Sequence, residues 1–159
     1  MKLFLTCLTV VLLSFGATAQ DLGATVPTAI FYNRDNSQFS TYSIPTGKKA
    51  LVFFFDATCG HCQKVVSEIN KRYKELANVN IYLVSQDEYR SIDYFTGTFA
   101  KQLSVQKNVK VLQDRDHVFI MSFHPKQYPA MYLYGADKKL KFTSSNEKDV
   151  SKIFQLVKS

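Results

Sequence analysis

Leu51-Val52-Phe53-Phe54-Phe55-Asp56-Ala57-Thr58-Cys59-Gly60-His61-Cys62-Gln63 is the stretch that decides the fold. Ala50 to Asp56 holds a continuous apolar run with three Phe and no polar alternation. A short run of this kind predicts a strand covered on both faces, as in a parallel sheet. The period then changes. Cys62, Val65, Val66, Ile69, Tyr73 and Leu76 recur at helical spacing on one face. Cys59 therefore falls at a strand-to-helix turn, and Cys62 within the first helical turn. Free backbone N–H groups and the positive end of the helix dipole lie there. A thiolate in that position is stabilised and available for attack at neutral pH.

Before this stretch, Met1 to Ala19 has the pattern of a secretory signal peptide. Lys2 is followed by an apolar core from Leu3 to Phe15, and Ala17-Thr18-Ala19 gives a small-x-small cleavage site before Gln20. The apolar core is shorter than the ~20 residues of a membrane span. Residues 20–159 then read as one domain. Ala29 to Tyr32 and Phe39 to Ile44 are strand-like, with turn chemistry in Asn33-Arg34-Asp35-Asn36-Ser37 between them. Pro45-Thr46-Gly47 separates this hairpin from the central strand.

After the first helix, Ile81 to Ser85 reads as a second buried strand, in a strand–helix–strand unit expected to pair in parallel. Ile92, Phe95, Phe99 and Leu103 predict a helix over 91–104. Val109 to Leu112 is a short strand, and Asp114 to Phe123 a short helix with Asp114 as N-cap. Ala130 to Tyr134 and Lys139 to Thr143 form a hairpin about Gly135-Ala136-Asp137-Lys138. Ser144 and Glu147 stand at capping-box spacing before a last helix with Val150, Ile153, Phe154 and Val157 on its apolar face.

The chain has 159 residues and is 46% hydrophobic, enough for one sizeable core. Its formal charge of +7 comes from scattered pairs such as Lys48-Lys49 and Lys71-Arg72, with no long basic run. That pattern predicts a solvated basic surface and argues against a nucleic-acid partner. Of three cysteines, Cys7 lies in the leader, so Cys59 and Cys62 form a dithiol couple of their own. Export places that couple where disulfides persist. The C-terminal residues are no endoplasmic-reticulum retention signal, and no Asn-x-Ser/Thr acceptor occurs. The expected location is therefore a bacterial periplasm or the exterior, with no stable membrane insertion once the leader is removed.

Strand, Cys-Gly-His-Cys and helix, followed by Gln127-Tyr128-Pro129-Ala130-Met131-Tyr132-Leu133-Tyr134, resemble the active site and cis-proline loop of the thioredoxin superfamily. The Gly60-His61 dipeptide is similar to that of protein disulfide isomerases, and the section before the central strand resembles exported bacterial redoxins. The resemblance implies a thioredoxin-like α/β fold, with a central mixed β-sheet flanked by helices and an N-terminal β-hairpin extension. It implies a thiol–disulfide oxidoreductase with no bound cofactor. Its partners would be protein thiols or disulfides and an upstream redox donor or acceptor. A cis Pro129 near the sulfurs is also implied, with the backbone at Tyr128 pairing to an extended client segment.

The residues assign the remaining roles. Cys59 at the exposed helix start is the expected nucleophile, and the more buried Cys62 the resolving thiol. Gly60 and His61 are the expected redox-tuning positions, since an imidazolium beside Cys59 favours its thiolate and makes the disulfide more oxidising. A zinc site would need two more ligands, and no second Cys pair exists, so no metal is expected. Two positions depart from thioredoxin: Phe53 replaces the buried acid, and Thr58 the Trp before the first Cys. Asp56 or Glu68 are the candidate substitutes for that acid. The Pro-x-x-x-Thr-x-x-Cys pattern of peroxiredoxins is absent around Cys59, where Val52 and Asp56 stand instead. Reductase and oxidase or isomerase directions both remain open, as does a non-catalytic protein- or metal-binding module.

Overall fold

The computed structural model describes residues 20–159, so the leader-like segment lies outside the described residues. The central strand, β3 (Ala50–Phe55), is buried at every position. Its alternation is visible only in space. Leu51, Phe53 and Phe55 enter one core, and Ala50, Val52 and Phe54 enter the other. Two-sided burial is why this strand shows no polar period in sequence.

β3 pairs in parallel with β4 (Asn80–Ser85) and antiparallel with β6 (Ala130–Tyr134). β4 pairs in parallel with β5 (Val109–Gln113), and β6 antiparallel with β7 (Leu140–Ser144). The N-terminal hairpin, β1 (Ile30–Tyr32) and β2 (Gln38–Ser40), joins the β5 edge. The result is a seven-stranded mixed sheet in the order β2-β1-β5-β4-β3-β6-β7. This is the α/β fold expected, with helices on both faces and the hairpin in place.

α1 (Gly60–Lys71) buries Cys62, Val65, Val66 and Ile69. It is shorter than the apolar period suggests. Arg72 ends it, and Tyr73–Leu76 continue as a 3-10 turn that still buries Leu76. α2 (Tyr89–Phe99) starts earlier than expected and stops two residues after Gly97. α4 (Val150–Lys158) buries Ile153 and Phe154 on the α1 side.

Across the sheet, α3 (Val118–Phe123) packs Phe119 flat on Phe54, with ring centroids 3.9 Å apart. Phe123 stacks on Phe119 at 4.1 Å. Three further expectations are displaced. Thr41–Ser43 is a 3-10 turn and not strand. α3 begins at Val118, four residues after Asp114, yet the Asp114 carboxylate still accepts the N–H groups of Val118 and Phe119. The capping box does not form, because Asn146 caps the 3-10 turn Glu147–Asp149 and Glu147 points elsewhere.

Candidate active site

Phe55 ends β3, and the next four residues form the turn that presents the cysteines. Asp56 closes it locally: Oδ1 accepts the Thr58 N–H at 2.7 Å and the Thr58 hydroxyl at 2.6 Å, and the carbonyl accepts the Cys59 N–H at 3.2 Å. Such side-chain-to-backbone bonds favour a turn over continued strand. Asp87 holds it from outside. Its Oδ2 accepts the N–H of the buried Ala57 at 2.8 Å and the Ser85 hydroxyl at 2.7 Å.

Cys59 is the N-cap of α1, and its Sγ accepts the Cys62 N–H at 3.3 Å. A sulfur here takes one of the donors that a helix start leaves unpaired. Cys59 is half-buried, Cys62 is fully buried beneath it, and both are free thiols. Burial is the main cause that pushes the Cys62 thiol far above its ordinary range, with the bond to Cys59 second. Gly60 opens α1 in exposed surroundings, and a Cβ there would meet no atom within 4 Å. The outer face of the turn is thus open to a partner chain.

The floor is apolar. Phe53 stands where an acid would be expected, fully buried and in the same core as Cys62. Of the two candidate substitutes, Asp56 acts on Cys62 in two opposed ways: its backbone hydrogen bond lowers the thiol, and its charge, a smaller effect, raises it. Glu68 acts instead on Arg72. Neither carboxylate is hydrogen-bonded to the buried sulfur, which Asp56 reaches only through its backbone.

His61 is exposed, and its Nδ1 lies 2.7 Å from Oε2 of Glu147, which arrives from the turn before α4. The Tyr128–Pro129 peptide bond is cis, the geometry the resemblance implies. Pro129 is buried and Tyr128 half-buried, with its ring 4.9 Å from that of Phe54. Burial, with Asp56 and Asp87 adding to it, raises the Tyr128 phenol to about 12. A polar cleft of about 310 Å³ joins His61, Gln127, Tyr128, Asn146, Glu147 and Lys148. So the fold brings Cys59, Cys62, His61 and the Tyr128–Pro129 loop to one end of the sheet.

His117 and His124 bracket α3 as left-handed end residues. Asp87 supports the site without having been singled out in the sequence, and Glu147 was read there only as a capping-box residue. Among the described residues no group of three or more His, Cys, Asp or Glu side chains is arranged to hold a metal ion.

A central mixed sheet with a Cys-x-x-Cys turn at a helix start defines a thioredoxin-like redoxin. The chain belongs to the AhpC/TSA family, whose description matches residues 16–143. Solved structures agree on the fold. A thioredoxin domain of a thiol-disulfide oxidoreductase from Bacteroides vulgatus superposes with a TM-score of 0.63 at 20% identity, over 87% of this chain and 99% of that one. A secreted Mycobacterium tuberculosis disulfide oxidoreductase, described as homologous to E. coli DsbE, gives 0.65 at 18% identity, over 80% and 95%. A peroxiredoxin-like protein from Aquifex aeolicus gives 0.67 at 13% identity, over 88% and 89%. No curated protein matches the sequence significantly.

Proposed function

We propose that this protein is an exported thiol–disulfide oxidoreductase acting on protein clients through Cys59 and Cys62. One observation carries the reading: a half-buried Cys59 sulfur caps α1 directly above a fully buried Cys62. In the reducing direction the Cys59 thiolate attacks a client disulfide. A Cys59–client S–S bond forms, and the client's other sulfur leaves as thiolate. Cys62 gives up its proton and attacks Cys59, which closes the Cys59–Cys62 disulfide and releases the second client thiolate. Two electrons have passed to the client. A redox donor in the membrane or in solution returns them. The oxidising direction is the same sequence reversed.

Tyr128 and Pro129 border the cysteines, and the backbone at Tyr128 serves the reading as the place where an extended client segment pairs. The half-buried nucleophile and the open surface over Gly60 favour a protein client over an enclosed small molecule. Val52 and Asp56, at the positions of the peroxiredoxin Pro and Thr, speak against peroxide as substrate. The leader-like pattern of residues 1–19 supports export. Among the described residues no helix is long and apolar enough to cross a membrane.

Insulin reduction by the mature protein tests the reading. Cys59→Ser should abolish it, and Cys62→Ser should trap a mixed disulfide with the client. Equal activity in Cys59→Ser would leave a binding module as the function. The couple's reduction potential, measured in glutathione buffers, sets the direction. We expect a value above thioredoxin's, which is about −270 mV. A value near the isomerase figure of about −180 mV means oxidation or isomerisation of clients, and one at or below thioredoxin's means a reductase.

A further inference from the structure

His61 is the residue between the two cysteines whose charge can act on their sulfurs, and it does not stand alone. Its Nδ1 is 2.7 Å from Glu147 Oε2, a contact between residues 86 positions apart in the chain. The carboxylate comes from the 3-10 turn Glu147–Asp149, which Asn146 caps and Ser144 fastens through its hydroxyl bond to Asp149 at 2.8 Å. Glu147 is therefore presented by a built turn, and is only 30% exposed against 66% for the imidazole.

The charged groups around this pair come from each element that meets it. Lys64 of α1 is 3.9 Å from the same carboxylate oxygen. Lys148 lies next in the turn, and Tyr128 closes the cleft from the loop before β6. Cys59 is the N-cap of the helix that carries His61. The bond from His61 holds the Glu147 carboxyl below the usual carboxylate range, with Lys64 and Lys148 adding to it.

Resting on the oxidoreductase reading, we propose that Glu147 is a positioning residue that, as the carboxylate partner of the His61 ring, sets the poise of the Cys59–Cys62 couple. An isolated imidazole is largely neutral at about pH 7. One paired with a carboxylate keeps its proton, because separating the pair leaves the carboxylate without its partner. The ring's positive charge then favours the Cys59 thiolate, and with it the reduced form.

Glu147→Gln is the informative variant, since it keeps the length of the side chain and an oxygen acceptor but loses the charge. Relative to wild type, the glutathione exchange equilibrium should move toward the disulfide by roughly three- to tenfold, or about 15 to 30 mV for a two-electron couple. Alkylation of Cys59 by iodoacetamide at about pH 7 should slow by a comparable factor. Both effects should vanish in a His61→Ala background. A purely structural role would leave both readouts unmoved. No shift, a shift toward the dithiol, or an equal shift in the His61→Ala background would overturn the proposal. If the wild-type pair formed no disulfide at any poise, the oxidoreductase reading itself would fall, and the alkylation rates would still report on Glu147.

Discussion

Ala57 carries a buried N–H whose acceptor lies 30 residues away in sequence, on Asp87. The two sides of the active-site turn are thus fastened differently: Asp56 by its own neighbours, Asp87 from the end of β4. Asp87→Ala leaves the Ala57 N–H without a partner, and a buried unpaired donor costs about 1–3 kcal/mol. We expect a loss of that size in urea denaturation and slower insulin reduction, because the Cys59 sulfur is no longer held over the α1 N-terminus. Asp87→Asn keeps an acceptor oxygen and should recover most of both. An Asp87→Ala variant with unchanged stability and rate would show that Asp56 alone sets the turn. The turn and helix that carry Cys59, Cys62 and His61 were legible in local spacing, while the cis Pro129 came only from the family resemblance. The roles of Asp87 and Glu147 were not legible, because each acts on a partner that only the tertiary fold brings near.

α3 makes the same point about helices. Asp114 looks like an N-cap and does accept helix N–H groups, but from four residues upstream, across a left-handed His117. Its second role was invisible: the carboxylate also accepts Gln86 Nε2 at 3.0 Å, which ties α3 to the end of β4. The helix itself is six residues long, too short to be stable alone. It persists because Phe119 and Phe123 stack against Phe54 and Phe31 on the sheet. Phe119→Ala removes the ring in contact with Phe54, at about 3–5 kcal/mol for a buried aromatic. The urea midpoint should fall accordingly. Phe54 in turn supports the Tyr128 ring, so the folded variant should also bind clients less well; an unchanged KM would place Tyr128 outside client binding. Helix boundaries shifted by two to five residues, as where a 3-10 turn or a remote cap replaced the regular end at Arg72 and Val118. The strands fared better, since two-sided burial wrote long apolar runs into β3, β4 and β6.

Both cores of the folded chain hold weakly acidic groups away from water, and this ties stability to pH. Burial raises the Cys62 thiol in the folded protein, while the unfolded chain titrates it near the ordinary value of 9.0. Below that pH both states carry the proton and the group contributes nothing. Above it the unfolded state releases the proton and the native state keeps it, so stability falls as pH rises. Burial also raises Tyr82 to about 12, from an ordinary 10.0, and pushes Tyr132 and Tyr134 up as well, so a steeper loss follows above the tyrosine range. The urea midpoint of the reduced protein should therefore decline in two phases. Between about pH 9 and pH 10 the Cys62 phase amounts to ~1 kcal/mol, from a linkage slope approaching 1.4 kcal/mol per pH unit. Cys62→Ser should lose that phase and keep the tyrosine one. The oxidised protein, whose sulfurs have no proton to release, should behave as Cys62→Ser does. Identical curves for reduced wild type and Cys62→Ser would mean that the buried thiol ionises as readily as in the open chain. The apolar floor set by Phe53 would then not be what holds the resolving cysteine protonated.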